Sequence, residues 1–305
     1  MNILILLLSL NISFALTEKL IDSGHRLNDD SAWTKFSSSD EVNLNKMFDL
    51  LKRSPQGSEL FKKAQVKAHR SGKTIMDVVK IGDSSLTDTT LMRKFSPAAP
   101  QNVILESQSV VYINRHLSMR DALLDLAHEL THFIYRQTFN PYNEDFNAKD
   151  FMAHTIEGQG GEVHAFLKEC IVQQELFGKT SSKRSLCDEV SGLSSDQAYK
   201  KAVSLFYQIG PYYEKFNQQL QLRQISLDDG KLTRDKINFI SSAYGVPYPM
   251  AALMEFDIVH KKVCENDRRR FAYMQQKSGR SPASTIDESV SFKKSFEKRC
   301  LQKSE

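Results

Sequence analysis

The segment from Leu117 to Gln137, "LSMRDALLDLAHELTHFIYRQ", carries His128, Glu129 and His132 in the order H-E-L-T-H. On an α-helix, side chains four residues apart stand one turn above each other on the same face, so His128 and His132 can turn both imidazoles toward one ion. Glu129 is rotated about 100° from His128 by the helix repeat, where a carboxylate can reach a water beside the ion without ligating the ion itself. The chemistry these three residues support at this spacing is metal-assisted hydrolysis. A zinc ion lowers the pKa of water toward neutrality and polarises a carbonyl, while the glutamate takes a proton from the water and passes it to the leaving amine.

Two histidines do not complete a zinc site, and the next candidates stand in "AHTIEGQGGEVHAFLKECI", which offers His154, Glu157, Glu162 and His164. Glu162 is the preferred third ligand because it opens a strong helical pattern. Ala165 follows on the same face, small enough to let that helix approach the H-E-x-x-H helix closely. Glycines at 158, 160 and 161 allow the sharp turn needed to aim it. Glu157 is the second candidate. His164 points away from Glu162 on the same helix and is left out of the site, and His25, His69, His116 and His260 belong to no pattern that carries chemistry.

The elements that must position these residues are legible in part. Ser118 followed by Asp121 reads as the start of the motif's helix, with a hydroxyl and an acid at its positive end. Ahead of it, "EVNLNKMFDLLKR" and "SELFKKAQVKAHR" have apolar residues at helical spacing. "KTIMDVVKIG" and the β-branched "NVILESQSVVYIN" read as strands of a small sheet. After the motif the chain reads as almost wholly helical: one helix from about Gly161 to Phe177, one around "DQAYKKAVSLFYQIGPYYEKFNQQLQLRQI" kinked at Pro211, and one from Pro249 to about Gln275. The expected fold class is α+β, helix-dominated, with a small sheet preceding the H-E-x-x-H helix.

An H-E-x-x-H helix, an intervening excursion and a glutamate opening a second helix resemble the zinc peptidases called gluzincins. The resemblance spans Val110 to Phe177, and "EVHAF" from Glu162 to Phe166 is similar to the E-x-x-A form of lethal-factor-type members. It implies a zincin-like core over about residues 101–180, Zn2+ as cofactor on His128, His132 and Glu162, Glu129 as general base, and a peptide or protein substrate. In the thermolysin-like form an aspartate four residues after the ligand orients a histidine. Phe166 stands there in this chain, and Asp125, one turn before His128, is the candidate for that task. No histidine continues the motif in the metzincin manner. The family also places a tyrosine or histidine where the oxyanion forms. His154 and Tyr244 are the leading candidates here, with Tyr248 in the same "SSAYGVPYP" segment. An edge strand of the family pairs with extended substrate, and "SVVYIN", Ser109 to Asn114, is the expected counterpart.

The whole chain sets the compartment. An apolar run from Ile3 to Leu10 followed by Ser13, Phe14 and Ala15 has the layout of a signal peptide cleaved after Ala15, although no Lys or Arg precedes the run. The run is short for a membrane span, so no stable membrane insertion is expected after cleavage, and the expected location is secreted or periplasmic. Residues 16–100 then form an N-terminal, mostly helical region leading into the sheet, and residues 181–305 a C-terminal helical region. Cys170, Cys187, Cys264 and Cys300 lack C-x-x-C spacing and suit two bridges, Cys170 with Cys187 and Cys264 with Cys300. The net charge of +4 from 41 basic and 37 acidic residues is evenly spread, and the single run Arg268 to Arg270 gives no nucleic-acid footprint. The function expected from these readings is an exported zinc metallopeptidase. The alternatives are a zinc amidase acting on cell-wall peptides and a non-catalytic helical envelope or secreted binding protein.

Overall fold

The computed structural model describes residues 31–96, 99–137, 139–178, 185–228, 230–278 and 284–300 of the 305. The expected signal peptide lies outside these residues. Helix α1 (Asp40–Leu51) starts at Ser39, whose side chain accepts from Val42 N, and α2 (Pro55–Arg70) starts at Ser54 with proline in its first turn. A single turn, α3 (Ile75–Val78), is capped by Thr74 and Asp77 and runs straight into strand β1 (Val79–Gly82). The "KTIMDVVKIG" segment is therefore half helical turn and half strand.

Strands β2 (Leu86–Ser96) and β3 (Ala99–Asn114) form a long antiparallel hairpin, and β1 joins β3 in parallel, giving the order β1-β3-β2. This order corrects one expectation. Ser109 to Asn114 belong to the central strand, with Val111 and Ile113 fully buried: Ser109 to Tyr112 pair with β2 and Val111 to Asn114 with β1. The exposed hydrogen-bonding edge next to the motif helix is that of β2.

Helix α4 (Met119–Tyr135) follows β3 directly, with the Ser118 hydroxyl accepting from Asp121 N. Its inner face, including Leu123, Leu126 and Leu130 at 0 % exposure, packs in one apolar core with α1, α2, β1 and β3. Each such leucine contributes about 2 kcal/mol relative to leaving it in water. At the far end of α4, Lys67 of α2 donates to the carbonyls of Phe133 and Ile134 at 2.5 and 3.4 Å, closing the last turn.

Beyond α4 lie α5 (Ala148–Glu157), α6 (Glu162–Phe177), α7 (Ser195–Phe206), α8 (Tyr213–Leu222), α9 (Tyr248–Ser278) and α10 (Ser284–Cys300). The helix expected to kink at Pro211 is instead interrupted: α7 stops at Phe206, and a 3-10 turn over Gly210–Tyr212 separates it from α8. Two bridges are present, Cys170–Cys187 and Cys264–Cys300, with Cα separations of 5.2 and 5.6 Å, in the pairing the sequence suggested. The second ties α9 to α10 beside Asp267, which is fully buried between Arg93 of β2 and Arg299 of α10. This ion triad pins the outer part of the hairpin to the C-terminal helices. Among the described residues, no helix is long and apolar enough to cross a membrane.

Candidate metal centre

Helices α4 and α6 lie against each other, with the small, fully buried Ala165 on α6 permitting the approach. Between them, Oε2 of Glu162 stands 3.3 Å from Nε2 of His128 and 3.4 Å from Nε2 of His132. Ligand-type atoms of His128, Glu129 and His132 lie within 4.8 Å of one another, a grouping that can hold a metal ion. Two imidazole nitrogens and a carboxylate oxygen directed at one point form a donor set suited to a borderline divalent ion such as zinc.

The outer nitrogens of both histidines are fixed. His132 Nδ1 lies 2.8 Å from the carbonyl of Gly160, and His128 Nδ1 lies 3.0 Å from Oε2 of Glu169. Such partners select the tautomer that leaves Nε2 free to ligate. The task assigned to Asp125 therefore belongs to Glu169, which sits two turns along α6 from Glu162. Asp125 faces Ser85 instead, and burial raises its carboxyl to about 6.

Without a metal, the cluster is an ion network. Burial resists the charge on both partners. The neighbouring His132, His128 and Arg136 nevertheless hold the Glu162 carboxyl well below the usual range, and the carboxylates of Glu162 and Glu169 hold His128 well above it. Arg136 donates from Nη2 to Glu162 Oε1 at 3.0 Å and from Nε to the Gly160 carbonyl at 3.2 Å, locking the ligand's second oxygen. Gly160 has φ +75°, and a β-carbon there would run into the backbone of Tyr135 and Arg136. The glycine-rich turn expected to aim Glu162 thus passes directly against the end of α4. His164 accepts from Gly160 N at 3.0 Å, which makes it part of that turn.

Glu129 reaches the two histidines from the strand side. Its Oε2 accepts from the Thr87 hydroxyl at 2.7 Å, and the same hydroxyl lies 3.0 Å from the Glu129 carbonyl. Strand β2 therefore orients the carboxylate.

The remaining candidates separate cleanly. Glu157 accepts from Tyr207 at 2.7 Å and pairs with Lys231 at 2.6 Å, outside the histidine pair. His154 lies 3.1 Å from the Gln137 carbonyl through Nε2 and packs on Phe139, and it makes no hydrogen bond or ion pair with Glu129 or Glu162. Tyr244 lines the same cleft, but the charge acting on it is that of Glu255. The phenol beside the cluster is Tyr248, the first residue of α9: burial and the neighbouring carboxylates of Glu162 and Glu129 push its hydroxyl far up. Phe206 meets its ring edge-on at 5.1 Å.

Sequence reasoning did not single out Thr87, Arg136 or Glu169. Only Glu169 left a signal, because it lies seven residues after Glu162 and so on the same helix face.

Thr87, His128, Glu129, His132, Glu162 and Tyr248 line one cleft of about 830 Å³. A second grouping, His260 with Cys264 and Cys300, has both sulfurs committed to a disulfide and offers no thiolate. No family model, curated protein or solved structure matches the chain.

Proposed function

We propose that this protein is a zinc metallopeptidase of gluzincin type that hydrolyses peptide bonds in an oxidising compartment. The observation that supports the reading most strongly is the convergence of His128 Nε2, His132 Nε2 and Glu162 Oε2 on one point, with Glu129 held to the side by Thr87. His128, His132 and Glu162 would hold the ion, oriented by Glu169, the Gly160 carbonyl and Arg136. When bound, zinc supplies Lewis acidity to the substrate carbonyl and to water.

Glu129 draws a proton from the attacking water and returns it to the departing amine nitrogen. Thr87 keeps one carboxylate oxygen of Glu129 occupied, so the other faces the cleft as the base. Tyr248, kept protonated by its buried, anionic surroundings, donates its hydroxyl to the carbonyl oxygen as negative charge develops there. An extended peptide has a main-chain partner in the edge strand β2, whose residues 86–89 line the cleft. The two disulfides fit an exported protein, in keeping with the leader-like first fifteen residues.

The test is hydrolysis of a mixed fluorogenic peptide library by the metal-free protein, before and after adding zinc. Cleavage that appears with zinc and vanishes on chelation is expected. Cleavage unaffected by chelation, or none in the zinc-loaded protein, contradicts the reading.

A further inference from the structure

Helix α9 turns Tyr248, Ala252, Glu255 and Val259 toward the cleft, a spacing that places them on one helical stripe. Glu255 therefore lies two turns beyond the phenol, about 10 Å along the axis. Ala251 and Ala252 between them are buried and small, so the space in front of this part of the helix is not filled from α9. Phe139 meets Phe151 edge-on at 5.8 Å and His154 at 5.2 Å, Phe151 packs on Phe256 of α9 at 6.0 Å, and Phe139, Phe151 and His154 line the cleft. Beside the motif residues, the cleft thus presents aromatic rings, the small side chains of Ala251 and Ala252, and the Glu255 carboxylate.

Among the described residues, no hydrogen bond or ion pair closes on the Glu255 carboxylate. Burial raises its pKa, and the charges acting on it are those of Arg136, which lowers it, and Glu162. Arg136 is already committed to Glu162 and the Gly160 carbonyl. His154 faces the Gln137 carbonyl, and Lys67, another cleft cation, is spent on the end of α4. A half-buried carboxylate in a cleft that also presents aromatic rings is the complement of a long side chain that is apolar along its stem and cationic at its tip.

We infer that Glu255 is a specificity-determining residue that receives a cationic group of the bound peptide, in the first instance a lysine or arginine side chain. The inference rests on the metallopeptidase reading for its substrate class and adds the charge that the cleft selects. A neutral isostere leaves Glu255 without its partner, and a site built around such a group rejects the analogue strongly.

The test is peptide binding to the zinc-loaded Glu129→Gln protein, in which turnover is blocked, followed by fluorescence anisotropy. Peptide pairs differ only in lysine against norleucine, or arginine against citrulline, each with a free or acetylated amino terminus. The cationic member is expected to bind at least about tenfold more tightly, a ratio falling to about unity with Glu255→Gln and reversing toward glutamate peptides with Glu255→Lys. A preference that follows the free amino terminus, and still depends on Glu255, identifies the terminal amine as the cation received. Equal binding of both members, or a preference that survives Glu255→Gln, overturns the inference. Zinc-dependent cleavage without charge preference removes the inference alone. A Glu255-dependent preference in a protein that cleaves no peptide removes the metallopeptidase reading and leaves the cation site.

Discussion

Oε2 of Glu169 lies 3.0 Å from Nδ1 of His128, and Glu162, seven residues earlier on the same helix, approaches Nε2 of the same ring at 3.3 Å. One face of α6 therefore supplies both the carboxylate before the His128 ring and the carboxylate behind it. Rotation of α6 by a fraction of a turn would lose both contacts, so the packing of α6 on α4 sets the geometry of the centre.

Removing the rear carboxylate should weaken the site without dismantling it. Glu169→Gln is expected to lower zinc affinity by about 10- to 100-fold, as orienting partners of metal-bound histidines typically do. Asp125→Asn should leave affinity within about twofold. Competition titrations with a chromophoric chelator give both values, and the reverse ordering would return the orienting role to Asp125.

Glu129→Gln should retain zinc and fold yet lose hydrolysis by at least about 100-fold, the usual range for a general base. Thr87→Val should act in the same direction more weakly, lowering kcat with little change in KM or metal content, because it frees the carboxylate rather than removing it. Steady-state kinetics beside metal analysis distinguishes these outcomes. A Glu129→Gln enzyme of wild-type rate would show that another group moves the proton.

The donor to the oxyanion is Tyr248 in this account. Tyr248→Phe is expected to reduce kcat by about 100- to 1000-fold while KM stays near the wild-type value, the signature of an interaction made in the transition state. Tyr244→Phe should cost less than about fivefold on the same scale. Equal losses from the two variants would reopen the assignment between them.

The stability of the metal-free protein should depend on Asp125. Its folded carboxyl is raised to about 6 from an ordinary value of 3.8 by burial, so the folded chain holds this proton more tightly than the unfolded chain. The associated stabilisation is full below about pH 4 and is lost as the pH rises toward 6. Asp125→Asn should therefore be more stable than wild type at pH 7, by on the order of 2 kcal/mol, with the difference closing near pH 4. Urea titrations at the two pH values measure it, and a difference that does not change with pH would contradict the assignment.

The parts of the site carried by local sequence were legible, and those carried by tertiary contact were not. His128, Glu129 and His132 follow from helical spacing alone, and Glu162 from a helix start beside glycines. The α+β class, the helix ending at Phe177 and both cysteine pairings were legible for the same reason, each resting on short-range pattern. Tyr248 was ranked behind Tyr244 because nothing within "SSAYGVPYP" tells which phenol the following helix aims inward. That choice is made by Phe206, about forty residues away, packing on the Tyr248 ring. Thr87 lies on a strand the sequence did not reveal: "LTDTTLMRKFS" is too polar to be recognised before its pairing with β3 is known. The same oversight put the cleft edge on Ser109 to Asn114, which β2 and β1 between them pair.

The most direct test of the central claim is zinc stoichiometry after metal-free purification, reconstitution and removal of excess ion. About one zinc per chain is expected in wild type and in Glu157→Ala, and a strongly weakened, substoichiometric site in His128→Ala, His132→Ala and Glu162→Ala. Wild-type protein that keeps no zinc, or a Glu162→Ala protein that keeps it as firmly as wild type, would contradict it.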